Sequence, residues 1–346
     1  MQIGPLSIAP NLVLAPMAAV TDLPFRTVCE EAGVGLTITE FLSARALSAG
    51  AKKIIDKLQP SLNGRPFGVQ IFGREEDAMQ RAAEMAVSVG ASLVDINMGC
   101  PAKRVVAGEC GSALMREPAL AAALVRAVRR AVPPSIPVTV KHRAGWDDRN
   151  RNAPEFAQAL VEAGAAMITV HGRTRSQGFS GRADLEIIRR VREALPPSIP
   201  VVGNGDVVDV AGYRKMVDET GCDAVMVGRG AMGNPWLFLR LREVAAGRPD
   251  PGPPTLKQRR MVARRHTALI LEHTPPERYV TELRKSVAWY TRGLRGGSLL
   301  RQKAWALTDH EPLQRLLEDF FAMLACSPSA LTFDDPPRFN AASSAA

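Results

Sequence analysis

The stretch DINMGCPAKRV, Asp95–Val105, holds the sharpest chemical signal in the sequence. Cys100 precedes a proline just past an apolar run, so a strand ending near Asn97 would project its thiol into open space. A nucleophilic thiolate needs a histidine or a helix N-terminus to lower its pKa. A general acid needs the opposite, a thiol still protonated near neutral pH, which an unperturbed pKa of about 8.5 supplies. The plainer reading is a small buried apolar side chain. Other polar residues also end apolar runs: Gln70 in GVQIFG, Lys141 and Arg143 in VKHRAGWDD, and His171, Arg173 and Arg175 in HGRTRSQGFSG. A lysine at such a position can meet an anionic ring or a phosphate, or pair with an acid such as Asp95. Asn204, Gly205 and Asp206 in NGDV, and Gly228 and Arg229 in GRGAMGNPW, suit a phosphate site. Glycines there let backbone N–H groups approach, and a following helix N-terminus adds positive potential. Gly228-x-Gly230-x-x-Gly233 also fits a dinucleotide pattern, but it sits on the last strand of the series with no acidic strand end about 20 residues on.

These residues need a frame that brings their strand ends together. The sequence predicts strands at 12–16, 34–40, 66–72, 92–97, 136–142, 166–171, 199–204 and 223–228. Several are nearly all apolar, as suits a parallel sheet buried on both faces. Amphipathic stretches at 75–90, 117–132, 154–164, 183–195 and 207–220 predict helices between them. Eight such units predict an α/β fold of the (β/α)₈ TIM-barrel type, whose chemistry sits at the C-terminal strand ends. A doubly wound open sheet is the alternative, but the first strand ends in Ala15-Pro16-Met17-Ala18 without a glycine loop. Six of the nine residues in GRPDPGPPT, 247–255, are Gly or Pro, which reads as a linker. Purely helical periodicity follows at 256–273, 277–292, 298–308 and 311–325. The expected division is a barrel over 1–247, a linker over 248–255, a helical bundle over 256–326 and a disordered tail over 327–346.

Composition narrows the function classes. The 346 residues are 46% hydrophobic and 23% charged, which excludes a disordered chain or a disulfide-stapled miniprotein. Five cysteines, an odd number without a C-x-x-C pair, argue against a disulfide framework and a zinc site. No apolar run reaches the roughly 18 residues of a membrane helix, and no signal peptide is evident, so a cytoplasmic location is expected. The net charge is +9, and residues 240–320 hold 16 Lys/Arg against 9 Asp/Glu. That asymmetry points to a polyanionic partner, nucleic acid before membrane; a solvated basic surface is the plainer account.

Taken together, the sequence resembles the tRNA-dihydrouridine synthase family, most closely its bacterial B-type branch. The matching segments are APMAAVTDLPFR, GVQIFG, DINMGCPAKRV, VKHRAGWDD, ITVHGRTRSQGFSG, NGDV, VGRGAMGNPW and ELRKSVAWY. The resemblance implies an FMN barrel with a C-terminal helical tRNA-binding domain, reducing the C5–C6 bond of a D-loop uridine with NADPH. It implies that Pro16, Met17, Ala18, Gln70, Lys141 and His171 lie about the isoalloxazine. It gives Asn204, Gly205, Asp206, Gly228 and Arg229 to the phosphate and ribityl chain, and the proton-donor role to Cys100. Hydride would pass to C6 of the uracil and Cys100 would protonate C5. Asn97, Arg143, Arg173, Arg284, Lys285 and Arg292 are the expected substrate contacts. Among B-type relatives position seventeen is the expected uridine, and a monomer is the default. Two positions depart from the family pattern: Ser286 where histidine is usual, and Phe179 where tyrosine is common. An FMN reductase of a free small molecule, or a non-catalytic tRNA-binding protein, are the competing readings.

Overall fold

The computed structural model describes residues 1–326; the tail at 327–346 falls outside the described residues. Eight parallel strands close into a barrel: β1 Leu12–Leu14, β2 Leu36–Ile38, β3 Phe67–Phe72, β4 Leu93–Met98, β5 Val138–Gly145, β6 Ile168–Thr174, β7 Val201–Asn204 and β8 Ala224–Val227. Each strand pairs with the next, and Val225 opposite Leu12 joins β8 to β1. All eight strands expected from the sequence are present. Two run longer than the apolar pattern indicated. A register shift between Arg143 and Gly145 lets β5 and β6 continue pairing as far as Gly145 and Thr174, which places Arg143 and Arg173 on strands rather than in loops.

Period-two alternation decides what each strand offers to the interior. Leu12, Leu14, Val69, Ile71, Val94, Ile96, Val140 and Val170 pack outward in one apolar cluster with the surrounding helices. The opposite parity holds Val13, Ala15, Leu36, Leu93, Val202 and Met226 in a smaller inner cluster. A hairpin of Gln2–Ile3 with Leu6–Ser7 adds Ile3 and Ile8 to that inner cluster, closing the N-terminal end of the barrel. Gln70, Asp95, Asn97, Lys141, Arg143, His171, Arg173 and Asn204 share the inner parity, so the polar residues converge above this apolar plug.

The chain from 246 to 255 forms no helix or strand, and Arg240 ties it back through Asp250 at 2.6 Å. A capping box on Thr255 and Gln258 then starts the helix Leu256–His273. Helices Tyr279–Tyr290, Gly297–Ala306 and His310–Ala325 follow, close to the expected bounds. Ala263, Ile270, Leu283, Val287, Leu317 and Phe321 give this bundle its own apolar cluster. Leu269 and Trp289 instead join the barrel's outer cluster, and Trp289 packs 5.3 Å from the Phe25 ring. Gly233, at φ +68, lies so close to the Trp289 backbone that a Cβ would come within 2.7 Å of it. That contact explains the third glycine of the dinucleotide-like pattern. Among the described residues no helix is long and apolar enough to cross a membrane.

Candidate active site

The C-terminal mouth of the barrel opens on a cavity of about 400 Å³. Pro16, Met17, Ala18, Asn97, Cys100, Lys141, Arg143, His171, Asn204, Gly205, Asp206, Gly228 and Arg229 all line it. Its apolar wall comes from Ala15, Met17, Val20, Phe41, Met226 and Met232. Such a cavity, mostly apolar with a few convergent polar groups, is of the size that holds a cofactor.

Asn97 organises one side. Its Oδ1 accepts the backbone N–H of Cys100 at 2.9 Å and of Gly99 at 3.2 Å, turning the chain sharply after β4. Its Nδ2 donates to Gln70 Oε1 at 2.8 Å, and Gln70 Nε2 donates to Asp95 Oδ2 at 2.6 Å. Gln70 is wholly buried behind Asn97 and does not line the cavity, so the structure places it beneath the site. Ser112 fixes Cys100 from the other side, donating through N at 3.1 Å and Oγ at 2.9 Å to its carbonyl. Gly111, at φ +60, leaves room where a Cβ would strike the Cys100 carbonyl at 2.9 Å. Loss of hydration raises the Cys100 thiol pKa, outweighing the Ala102 amide and the cations Arg143 and Lys141. The sulfur is therefore a protonated thiol at neutral pH, not a thiolate.

Lys141 does not pair with Asp95, whose two oxygens are taken by Gln70 and by Thr139 Oγ1 at 2.5 Å. Among the described residues no acceptor bonds its ammonium, and desolvation, helped by Arg143, lowers its pKa to about 8. Arg143 donates from Nε to Gly99 O at 2.7 Å and from Nη1 to Thr174 O and Gly178 O at 2.8 Å. His171 is held neutral, its pKa pushed well down by burial and by four neighbouring cations.

Arg173 lies outside the cavity lining. It grips Asp206 with two bonds of 2.9 and 2.8 Å and reaches Ser180 O and Gly181 O. Asp206, at φ +55, also accepts the Ala183 N–H at 2.8 Å and Arg229 at 3.3 Å. Burial opposes ionisation there, but Arg173 and the Ala183 amide hold the carboxyl below its ordinary value. Gly205, at φ +135, sits where a Cβ would meet Ala183 Cβ at 2.5 Å, and a Cβ on Gly230 would meet Val207 O at 2.3 Å. After β8 there is only one short turn, Arg229–Ala231; the helix Trp236–Ala245 begins further on, so backbone at the glycines, not a helix end, is what the mouth offers.

The bundle residues expected to touch substrate do not line the cavity. Arg284 caps a helix end through Ala304 O, Trp305 O and Leu307 O. Arg292 gives its carbonyl to Arg259 Nη1 at 2.9 Å. Lys285 donates to Ala19 O at 2.8 Å and pairs with Glu282. Arg260 and Arg264 pair with Glu318, and Arg265 with Glu31. Of the two departures from the family pattern, Ser286 is fully buried with an unpartnered Oγ, while Phe179 is 39% exposed at the cavity rim. Its ring lies 5.6 Å from the Arg143 guanidinium and 5.1 Å from that of Arg229. The sequence reading missed Glu40, Phe41 and the stack of Arg116 and Arg175 on Trp146 at 4.1 and 4.3 Å. Glu40 carried a signal: it is the one acid ending the run VGLTIT.

Comparison with known proteins gives this geometry a family. The family model described as dihydrouridine synthase matches residues 13–325. The chain belongs to the dihydrouridine synthase family. A probable tRNA-dihydrouridine synthase of Rhodobacter capsulatus is 39% identical over 92% of this chain and 96% of its own length. The tRNA-dihydrouridine synthase B of Xanthomonas axonopodis pv. citri is 38% identical over 96% and 99%. Solved structures share the barrel at low identity. A 2-naphthoyl-CoA reductase complex superposes with a TM-score of 0.57 at 13% identity, over 72% of this chain and 52% of that one. Histamine dehydrogenase from Rhizobium sp. 4-9 gives 0.57 at 13%, over 78% and 50%. The chain thus spans about half the length of those two structures, and the likeness is one of fold. As a dihydrouridine synthase, the chain is an oxidoreductase of a flavin-dependent family.

Proposed function

We propose that the protein is an FMN-dependent tRNA-dihydrouridine synthase that uses NADPH to reduce a D-loop uridine. The observation that carries the reading is the presence, in one cavity, of a Lys141 ammonium that bonds no acceptor among the described residues and a Cys100 thiol whose pKa is raised by burial. The donor set fits a flavin. Lys141 and Arg143 present positive charge without an acid between them, as an anionic reduced ring requires. Ala15, Met17 and Met226 offer apolar contact to a flat ring, and Gly205, Gly228 and Gly230 leave backbone bare for a phosphate. Asn204 and Arg229 stand beside those glycines for the ribityl chain and phosphate.

The chemistry a flavin held by these residues would supply is the hydride for C6 of the uracil. Cys100 holds a proton on Sγ, and Asn97 and Ser112 fix its backbone at the cavity wall. The thiol gives its proton to C5, and Lys141 and Arg143 stabilise the thiolate that is left. Neutral His171 can accept or donate one hydrogen bond without adding charge. The uridine must leave its stack to reach the cavity, and the basic bundle, read as a separate tRNA-binding domain after the 248–255 linker, offers the counter-charge for the RNA. The test is to incubate purified protein with FMN, NADPH and tRNA from cells lacking dihydrouridine, then map reduced uridines. Reduction confined to the D-loop is expected. Flavin-bound protein that reduces no tRNA but does reduce free pyrimidines would overturn the reading.

A further inference from the structure

The first-strand loop forms one wall of the cavity through Ala15, Pro16, Met17, Ala18 and Val20. Its middle residue, Ala19, faces elsewhere and stands at φ +56, a left-handed backbone that alanine seldom adopts. Something must hold it there. Two charged side chains from distant elements take both of its backbone polar groups. Its N–H donates to Glu40 Oε2 at 2.6 Å, and its carbonyl accepts from Lys285 Nζ at 2.8 Å.

Neither partner is free to swing away. Glu40 is 5% exposed, and Lys57 binds the same carboxylate at 3.1 Å. Lys285 is paired with Glu282, which is 4% exposed and held in turn by Arg278 at 2.6 Å. Within the loop, Thr21 Oγ1 bonds both the N–H and the carbonyl of Met17 at 2.9 and 3.2 Å. The strained residue is thus clamped between the end of β2 and the bundle helix Tyr279–Tyr290, and the residues on either side of it line the cavity.

We propose that Lys285 and Glu40 are positioning residues: through Ala19 they set the Pro16–Ala18 wall against the flavin, with Lys285 acting from the helical bundle. A lysine bonded to a loop carbonyl and a buried carboxylate is not available to a phosphate, so Lys285 is a structural link between the bundle and the flavin wall instead of an RNA contact. The inference rests on the flavin reading of the cavity.

The test uses the full chain stripped of flavin, as wild type and as Lys285→Met, Lys285→Arg and Glu40→Gln. Each is titrated with FMN by absorbance and fluorescence quenching, and with tRNA by filter binding. Lys285→Met is expected to weaken FMN binding about tenfold, the scale of one charge-assisted hydrogen bond, and to shift the bound flavin's absorption band. It should lower kcat on tRNA while KM and tRNA affinity stay within about twofold. Lys285→Arg, which keeps a donor, should recover part of the loss, and Glu40→Gln, which keeps an acceptor but not its charge, should weaken FMN binding less than Lys285→Met. If Lys285→Met weakens tRNA binding and leaves the FMN titration and spectrum unchanged, the residue is an RNA contact and the proposal fails. The proposal also fails if neither titration changes, or if Lys285→Met unfolds and Lys285→Arg binds FMN with the wild-type spectrum but weaker tRNA affinity. Wild-type protein that takes up no FMN would instead overturn the flavin reading.

Discussion

Cys100 keeps its proton because burial outweighs the pull of the Ala102 amide, Arg143 and Lys141, as the proposed acid role requires. Replacing it by alanine is expected to leave FMN binding intact and lower kcat on tRNA by about 10²–10⁴, the range of general acid catalysis; single-turnover reduction measured with and without the thiol checks this. Lys141 gives a second expectation with a definite sign. Its pKa in the free protein is lowered to about 8, so it is a cation below that pH and neutral above it. FMN affinity should fall as pH rises through about 8, and titrations of Lys141→Met should be weaker and lack that limb. Much of this was legible in the sequence, since each residue was a polar interruption at the end of an apolar run. Gln70 shows the limit of that reading. It shares the inner face of β3 with the site, but its amide is consumed by Asp95 and Asn97, a pairing set by strands that lie side by side only after the barrel closes.

At the scale of elements, the same inner parity on β3 to β7 gathers the site without any residue having to bend from its strand. The strand count and the alternation were readable; the extra length of β5 and β6 was not, because the register shift that permits it depends on how the two strands pair. That extension matters: it plants Arg173 on a strand, from which it holds Asp206 and fixes the loop after β7. Gly205→Ala should therefore damage the phosphate side of the cavity. A Cβ there meets Ala183 and an unfavourable φ of +135, so FMN affinity should fall by about tenfold or more while the melting midpoint drops only modestly. Parallel FMN titration and thermal denaturation separate the two effects. Lys285 illustrates what no local pattern could reveal. Its acceptor lies 266 residues away, and the run of basic residues around it reads naturally as an RNA-facing surface.

Across the whole molecule, the joint between barrel and bundle is tightly packed and sensitive to acid. His266 is buried against Trp289 and Phe25, with Nδ1 3.0 Å from Tyr290 Oη, and desolvation lowers its pKa to about 3. The unfolded chain, with an ordinary histidine near 6.5, binds more protons between those values. His266 thus adds stability that is complete above about pH 6.5 and is lost as pH falls toward 3. The difference in melting midpoint between wild type and His266→Gln should shrink across that window, which paired melts at several pH values would read. The close approach of Gly233 to Trp289 has a consequence for how such a protein can change over time. Trp289 and Leu269 belong to the barrel's apolar cluster although they are carried by the bundle, and only glycine at 233 admits Trp289. The two halves are therefore not interchangeable cartridges. A recombinant that grafts a foreign bundle after the Pro-rich segment would leave an apolar seam uncovered, and lineages can alter the helical half only by steps that keep both sides of this seam in register.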